Sequence, residues 1–151
     1  MANPLVAIIM GSSSDASIMS EASKMLASLN IPFEEKVISA HRSPKKVAQF
    51  AETARERGVE VVIAGAGKAA HLAGAISALT TLPVVGVPIS GGNLGGLDAL
   101  LSTVQMPGGV PVATVAINGA KNAAILAAEI LALKHPEIDK AVKKFKKELD
   151  E

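Results

Sequence analysis

The chain contains no cysteine, no tryptophan and no tyrosine, and phenylalanine occurs only three times among its 151 residues. Without cysteine, disulfide bonds, thiolate nucleophiles and cysteine-ligated zinc are excluded. The scarcity of aromatic rings also argues against binding of single-stranded nucleic acid, which relies on stacking platforms. The net charge of +1 offers no extended field of one sign that would attract a nucleic acid or an anionic membrane.

The chain also has no apolar run long enough to span a bilayer, which needs about 20 residues. The longest run, 123–133, is interrupted by Glu129. Residues 1–4 lack the basic start of a secretory signal peptide, so we expect a cytoplasmic location. Hydrophobic residues nevertheless make up 49% of the chain. A domain of this size cannot bury so much apolar surface alone, which predicts a homo-oligomer; an alanine-rich core is the alternative explanation.

Strand-like and helix-like runs alternate along the chain, and no linker or internal repeat separates them. Short apolar or alternating runs predict strands at 5–10, 33–38, 59–64, 84–87 and 112–117. Helical spacing of apolar residues predicts helices at 15–29, 45–57, 69–79, 97–104 and 120–134, and a last helix beginning at Pro136. We therefore predict one α/β domain over residues 1–151. It is a three-layer sandwich around a central five-stranded parallel sheet, flavodoxin-like or Rossmann-like, with a C-terminal helix.

A polar turn follows each of the first three predicted strands, at the sheet edge where open α/β proteins bind ligands. The first turn comprises Gly11, Ser12, Ser13, Ser14 and Asp15. Glycine allows the backbone to approach an anion, the serine hydroxyls can donate to a phosphate, and Asp15 can accept from ribose hydroxyls. The same residue types also suit a plain helix N-cap, so this motif alone does not decide between the two interpretations.

The second turn is Ser39-Ala40-His41-Arg42-Ser43-Pro44. An imidazole can transfer a proton near neutral pH, and a neighbouring guanidinium can hold a phosphate or a carboxylate. A lone histidine is more often structural. The arginine beside His41 and the predicted position at a strand end nevertheless favour a reaction site for a small molecule.

The third turn, 64–74, has glycines at spacing similar to that of a dinucleotide-binding loop. It follows the third strand, and no acidic residue ends the next strand, so we expect no nicotinamide cofactor. Lys68 is not followed by serine or threonine, which excludes a Walker loop. We interpret the segment as a flexible wall of backbone N–H groups that can meet a carboxylate or carbon dioxide. His71 is either a second site residue or, as we favour, a ring that fixes the loop by hydrogen bonds.

Segments 10–15, 39–44, 64–67, 69–72, 86–88, 104–117 and 122–124 match the motifs of one known family, in order and over nearly the whole chain. In these segments the chain resembles the PurE family, and in particular its class I N5-carboxyaminoimidazole ribonucleotide mutases. The resemblance implies a rearrangement of a small ribonucleotide without metal, ATP, biotin or another cofactor. In that reaction the carboxyl group moves from the exocyclic nitrogen to ring carbon four.

The resemblance also implies roles for individual residues. His41 would move the proton between nitrogen and carbon; Ser12, Ser39 and Arg42 would contact the phosphate, and Asp15 the ribose. The predicted substrate-binding set further includes Gly11, Ser14, Ala40, Gly67, Lys68, His71 and Leu72. Family members are octamers with sites where subunits meet, which agrees with the expected homo-oligomer. No histidine and acid spacing indicates a metal site.

The chain departs from the family pattern at two positions. Family members usually have glycine where this chain has Lys68, and proline where it has Ala73. Lys68 could pair with the substrate carboxylate, block the pocket or point into solvent, whereas Ala73 removes a constraint on the loop. Two alternatives to the mutase therefore stay open: a direct aminoimidazole ribonucleotide carboxylase, and a nucleotide-binding module without catalysis.

Overall fold

The computed structural model describes residues 2–150, which form layers around one five-stranded sheet. The strands are β1 (Val6–Met10), β2 (Phe33–Val37), β3 (Val61–Gly67), β4 (Val84–Ile89) and β5 (Ala113–Thr114). Their order is β2-β1-β3-β4-β5, and all neighbouring pairs are parallel. This flavodoxin-like arrangement confirms the predicted fold class.

Six helices cover the sheet: α1 (Ala16–Ser28), α2 (Pro44–Thr53), α3 (Leu72–Leu79), α4 (Leu97–Val104), α5 (Ala120–Ala132) and α6 (Pro136–Glu148). α1 and α5 pack on one face of the sheet with α6 behind α5, and α2 and α3 pack on the other face. β1 and β4 are buried along their whole length because helices cover them on both sides. Within residues 2–150 no helix combines the length and the apolar character needed to cross a membrane.

The alanine-rich helix α5 accounts for part of the high apolar content. Five of its alanines are completely buried: Ala120, Ala123, Ala124, Ala127 and Ala128. Large apolar side chains on α4 have the opposite environment, since Leu97, Leu101 and Val104 are 52%, 48% and 45% exposed. Buried alanine therefore explains part of the apolar content, and α4 presents another part of it at the surface.

The third strand is longer than predicted. We expected a loop to begin at Ala64, but β3 continues to Gly67, and its last three residues pair with Val87–Ile89 of β4. α3 correspondingly begins at Leu72 rather than at residue 69. Glycine and alanine have low strand propensity, so the pattern underestimates a strand that its neighbours hold in place.

The fifth strand is shorter than predicted, with two residues instead of the six at 112–117. It is an edge strand and pairs only with β4. The Val115 N–H still donates to the Gly86 carbonyl at 3.1 Å. The chain then reverses at Asn118, whose φ of 62° is in the left-handed region.

Candidate active site

A cavity of about 740 Å³ lies at the carboxyl ends of β1, β2, β3 and β4. All of the predicted site residues line it, which are Gly11, Ser12, Ser14, Asp15, Ser39, Ala40, His41, Arg42, Gly67, Lys68, His71 and Leu72. The three polar turns therefore meet at one place, as parallel strands that end at a common edge require.

The first turn is a helix cap whose polar groups also face the cavity. Ser12 is the N-cap of a short 3₁₀ turn that leads into α1, and its Oγ accepts hydrogen bonds from the N–H and the hydroxyl of Ser14 at 3.3 and 3.0 Å. Asp15 accepts the N–H of Ser12 at 3.2 Å. The capping interpretation is thus confirmed, and the hydroxyl proton of Ser12 is not used in these bonds.

Asp15 is the only acidic side chain that lines the cavity in the described part of the chain. Burial raises the pKa of its carboxyl group, and the hydrogen bond from the Ser12 backbone lowers it by a smaller amount. Arg42, Lys68 and two histidines line the same space. The balance of charge favours an anionic ligand.

The second turn is closed by its own hydrogen bonds. Ser39 accepts the Ser43 N–H on its carbonyl at 2.8 Å and the Arg42 N–H on its Oγ at 3.2 Å. Pro44 then begins α2 at a position where its missing N–H needs no partner. His41 and Arg42 are left exposed at the cavity, and within residues 2–150 the Arg42 guanidinium forms no ion pair.

The two histidines of the cavity contact each other. His41 Nε2 and His71 Nδ1 are 2.7 Å apart, and the rings are nearly perpendicular, at 84° with centroids 4.9 Å apart. His41 follows β2 and His71 follows β3, so the pair bridges the end of β1 between them. A hydrogen bond between ring nitrogens requires a lone pair on one of them, so the pair carries at most one positive charge in this arrangement. His71 therefore lines the cavity and is bonded to the turn that contains His41, whereas its role in fixing its own loop stays a prediction.

Part of the cavity wall was not predicted from the sequence. Ile89, Ser90 and Gly91 at the end of β4 also line the cavity. Asn118 fixes this wall, because its Oδ1 accepts the Ser90 N–H at 2.9 Å and its Nδ2 donates to Ser90 Oγ at 2.8 Å. The available signal was the glycine-rich run directly after the fourth predicted strand, which ends at the same sheet edge.

Four further lining residues were also missed, namely Ser17, Ile18, Ala66 and Ala69. Ser17 and Ile18 follow the first turn, whereas Ala66 and Ala69 lie within the third, and none of the four carries a separate signal. Across residues 2–150, no group of three or more histidine, cysteine or acidic side chains could hold a metal ion.

The chain is similar to known proteins both in sequence and in structure. The family model described as AIR carboxylase matches residues 5–151. The N5-carboxyaminoimidazole ribonucleotide mutase of Pyrococcus abyssi is 58% identical over 146 residues, which cover 97% of this chain and 84% of that protein. The mutase of Bacillus subtilis is 61% identical over 130 residues, with 85% and 80% covered. A crystal structure of Treponema denticola PurE is similar with a TM-score of 0.89 at 29% identity, covering 97% of this chain and 92% of that one.

Proposed function

Because the chain belongs to the AIR carboxylase (PurE) family, we propose that it converts N5-carboxyaminoimidazole ribonucleotide to 4-carboxyaminoimidazole ribonucleotide in purine biosynthesis. Relatives that are 56–61% identical bear the name of this mutase. The observation that carries the proposal is the cavity itself. It joins an imidazole pair, an unpaired guanidinium and a capped helix start in one space.

The chemistry needs one group that both gives and takes a proton. The bond between the exocyclic nitrogen and the carboxyl carbon breaks, which releases carbon dioxide while the nitrogen gains a proton. Ring carbon four then forms a bond to the carbon dioxide and loses its own proton. No net proton is consumed, so His41 can donate in the first half and accept in the second. The cavity keeps the carbon dioxide close to carbon four and so supplies a high effective concentration.

The remaining polar groups suit the phosphate and the ribose of the nucleotide. Ser12, Ser39 and Arg42 are proposed to bind the phosphate, with support from the free guanidinium at the turn that leads into α2. Asp15 is proposed to accept from the ribose, since its fixed position beside Ser12 leaves acceptor capacity on the carboxylate.

The active form is proposed to be a homo-oligomer, and an octamer by the family resemblance. Support comes from the apolar stripe on α4, whose exposed residues Leu97, Leu101 and Val104 recur at helical spacing. Leu94, which is 61% exposed, extends the stripe towards the wall formed by Ser90 and Gly91. A neighbouring subunit seated there would border the cavity. The cytoplasmic location stays a prediction.

A kinetic assay tests the function. Wild-type protein mixed with N5-carboxyaminoimidazole ribonucleotide should form the 4-carboxy product, followed by its absorbance. His41→Asn should lower turnover by about 10²–10⁴-fold, the range for loss of a general acid–base group, while nucleotide affinity persists. His135→Asn is the matched control, since His135 lies outside the cavity and pairs with Glu60.

The assay also separates the alternatives. A rate set by the bicarbonate concentration, with aminoimidazole ribonucleotide as substrate, would identify a direct carboxylase. Nucleotide binding without conversion in the wild type would identify a binding module. Wild-type turnover in His41→Asn would show that the proton is moved by another group.

A further inference from the structure

Lys68 is a cavity-lining cation to which the steps above give no role. Its φ of 53° is in the left-handed region, which residues with a side chain rarely adopt. Backbone strain of this kind concentrates at functional sites and persists where the surroundings enforce it. The backbone conformation of Lys68 therefore suggests that its side chain has a role at the cavity.

The Lys68 side chain runs from the turn after β3 to the loop after β4. A Cβ atom built on Gly92 would lie 3.4 Å from Lys68 Cε, 3.8 Å from Cγ and 3.9 Å from Cδ. The aliphatic stem thus packs on the backbone of the neighbouring loop, at the edge of the cavity that both loops line. This contact places the stem beside the neighbouring loop while the residue as a whole stays exposed.

The ammonium group has no partner of opposite charge within the described residues. No ion pair there involves Lys68. Asp15, the one carboxylate of the cavity wall, already accepts the Ser12 N–H. A lysine that lines a cavity without an internal counter-ion is available to an anionic ligand.

The arginine and the lysine of the cavity lie on opposite sides of β1. Arg42 follows β2 and Lys68 follows β3, and the strand order places β1 between those two strands. The substrate and the product of the proposed reaction each carry two separate anionic groups, a phosphate and a carboxylate. With the phosphate at Arg42, the second anion lies towards the β3 side.

We propose that Lys68 binds the carboxylate of the carboxylated nucleotides and so selects them over aminoimidazole ribonucleotide, which lacks that group. Lys68 is then a specificity-determining residue in which the chain differs from the glycine expected from the family resemblance. The inference rests on the proposed function and adds a role that the backbone N–H groups of the loop do not supply.

Calorimetric titration with 4-carboxyaminoimidazole ribonucleotide and with aminoimidazole ribonucleotide tests this role. Lys68→Gln should weaken binding of the carboxylated nucleotide by about tenfold, as expected for loss of one charge-assisted hydrogen bond. Binding of aminoimidazole ribonucleotide should change less than about twofold on the same scale. Lys68→Arg should restore most of the discrimination, because it retains the charge. Lys140→Gln, which removes an exposed lysine on α6, is the control and should alter neither affinity.

The outcomes distinguish this inference from the function on which it rests. Equal weakening of both nucleotides by Lys68→Gln, or unchanged affinity for the carboxylated one, would overturn the role of Lys68 alone. Failure of the wild type to bind either nucleotide would overturn the proposed function and this inference with it. Lys68→Asn keeps a residue that tolerates positive φ and removes the charge; it should show the same selective loss and unfold at or above the wild-type temperature.

Discussion

Replacing Gly65 with alanine should destabilise the protein, because the position has no room for a Cβ atom. Gly65 is in β3, and a side chain there would point towards α1, which covers that face of the sheet. A Cβ atom there would overlap Met19 Sδ and would lie 2.8 Å from Met19 Cε and 3.1 Å from Ile89 Cδ1. Met19 is 0% exposed and Ile89 only 4%, so the Met19 side chain can make room only by repacking within the core.

The size of the effect follows from two opposing terms. Forcing extra volume into a packed core costs about 1–3 kcal/mol. Alanine restricts the unfolded chain more than glycine does, which stabilises the folded protein by about 0.4–1 kcal/mol. With each effect taken near the middle of its range, the net loss is about 1–2 kcal/mol. For a chain of this length that corresponds to a lowering of the unfolding temperature by about 2–8 °C.

Thermal unfolding followed by circular dichroism measures this shift. Gly108→Ala is the matched control, because no heavy atom lies within 4 Å of a Cβ built there. Its unfolding temperature should equal that of the wild type or lie slightly above it. If Gly65→Ala unfolded at or above the wild-type temperature, α1 would not pack on β3 closely enough to exclude a Cβ atom at position 65.

Three further features can be tested: the turn between α5 and α6 (residues 133–135), the hydrogen bonds between Asn118 and Ser90, and the exposed apolar residues of α4. Burial alone would raise the pKa of the Glu60 carboxyl group. Hydrogen bonds from Lys134 and His135 outweigh this effect and lower the pKa below 4.5. Glu60→Gln should therefore lower the unfolding temperature at neutral pH, and this difference should disappear as the pH falls through the lowered pKa. Asn118→Ala, which removes both bonds to Ser90, should raise KM more than it lowers kcat in steady-state assays. Leu101→Glu should reduce the mass measured by light scattering, since a charge on the stripe opposes association.

The fold was predictable because its strands are chemically distinct from its helices. The short, continuous apolar runs of β1 and β4 are typical of strands buried on both faces, and the helices between them show clear apolar faces. The end of β3 was not predictable on these grounds. Its residues Gly65–Gly67 are held in the strand by pairing with β4, a long-range effect that local propensity does not contain.

The positions of the site residues were predictable from topology, whereas their contacts were not. Each predicted turn follows a parallel strand, so the sequence alone implied that the turns share one edge of the sheet. The hydrogen bond between His41 and His71 depends on strand order, since 30 residues separate the two rings in the chain. The same holds for the packing of Lys68 on Gly92, which requires β3 and β4 to be neighbours.

The strand order also explains why the imidazole pair lies where the proposed chemistry needs it. Neighbouring strands are about 4.8 Å apart, so β2 and β3 are separated by roughly 10 Å with β1 between them. Arg42 is on the β2 side and Lys68 on the β3 side, and the bonded rings of His41 and His71 connect the two sides. A nucleotide with its phosphate at one cation and its carboxylate at the other would place its heterocycle beside those rings.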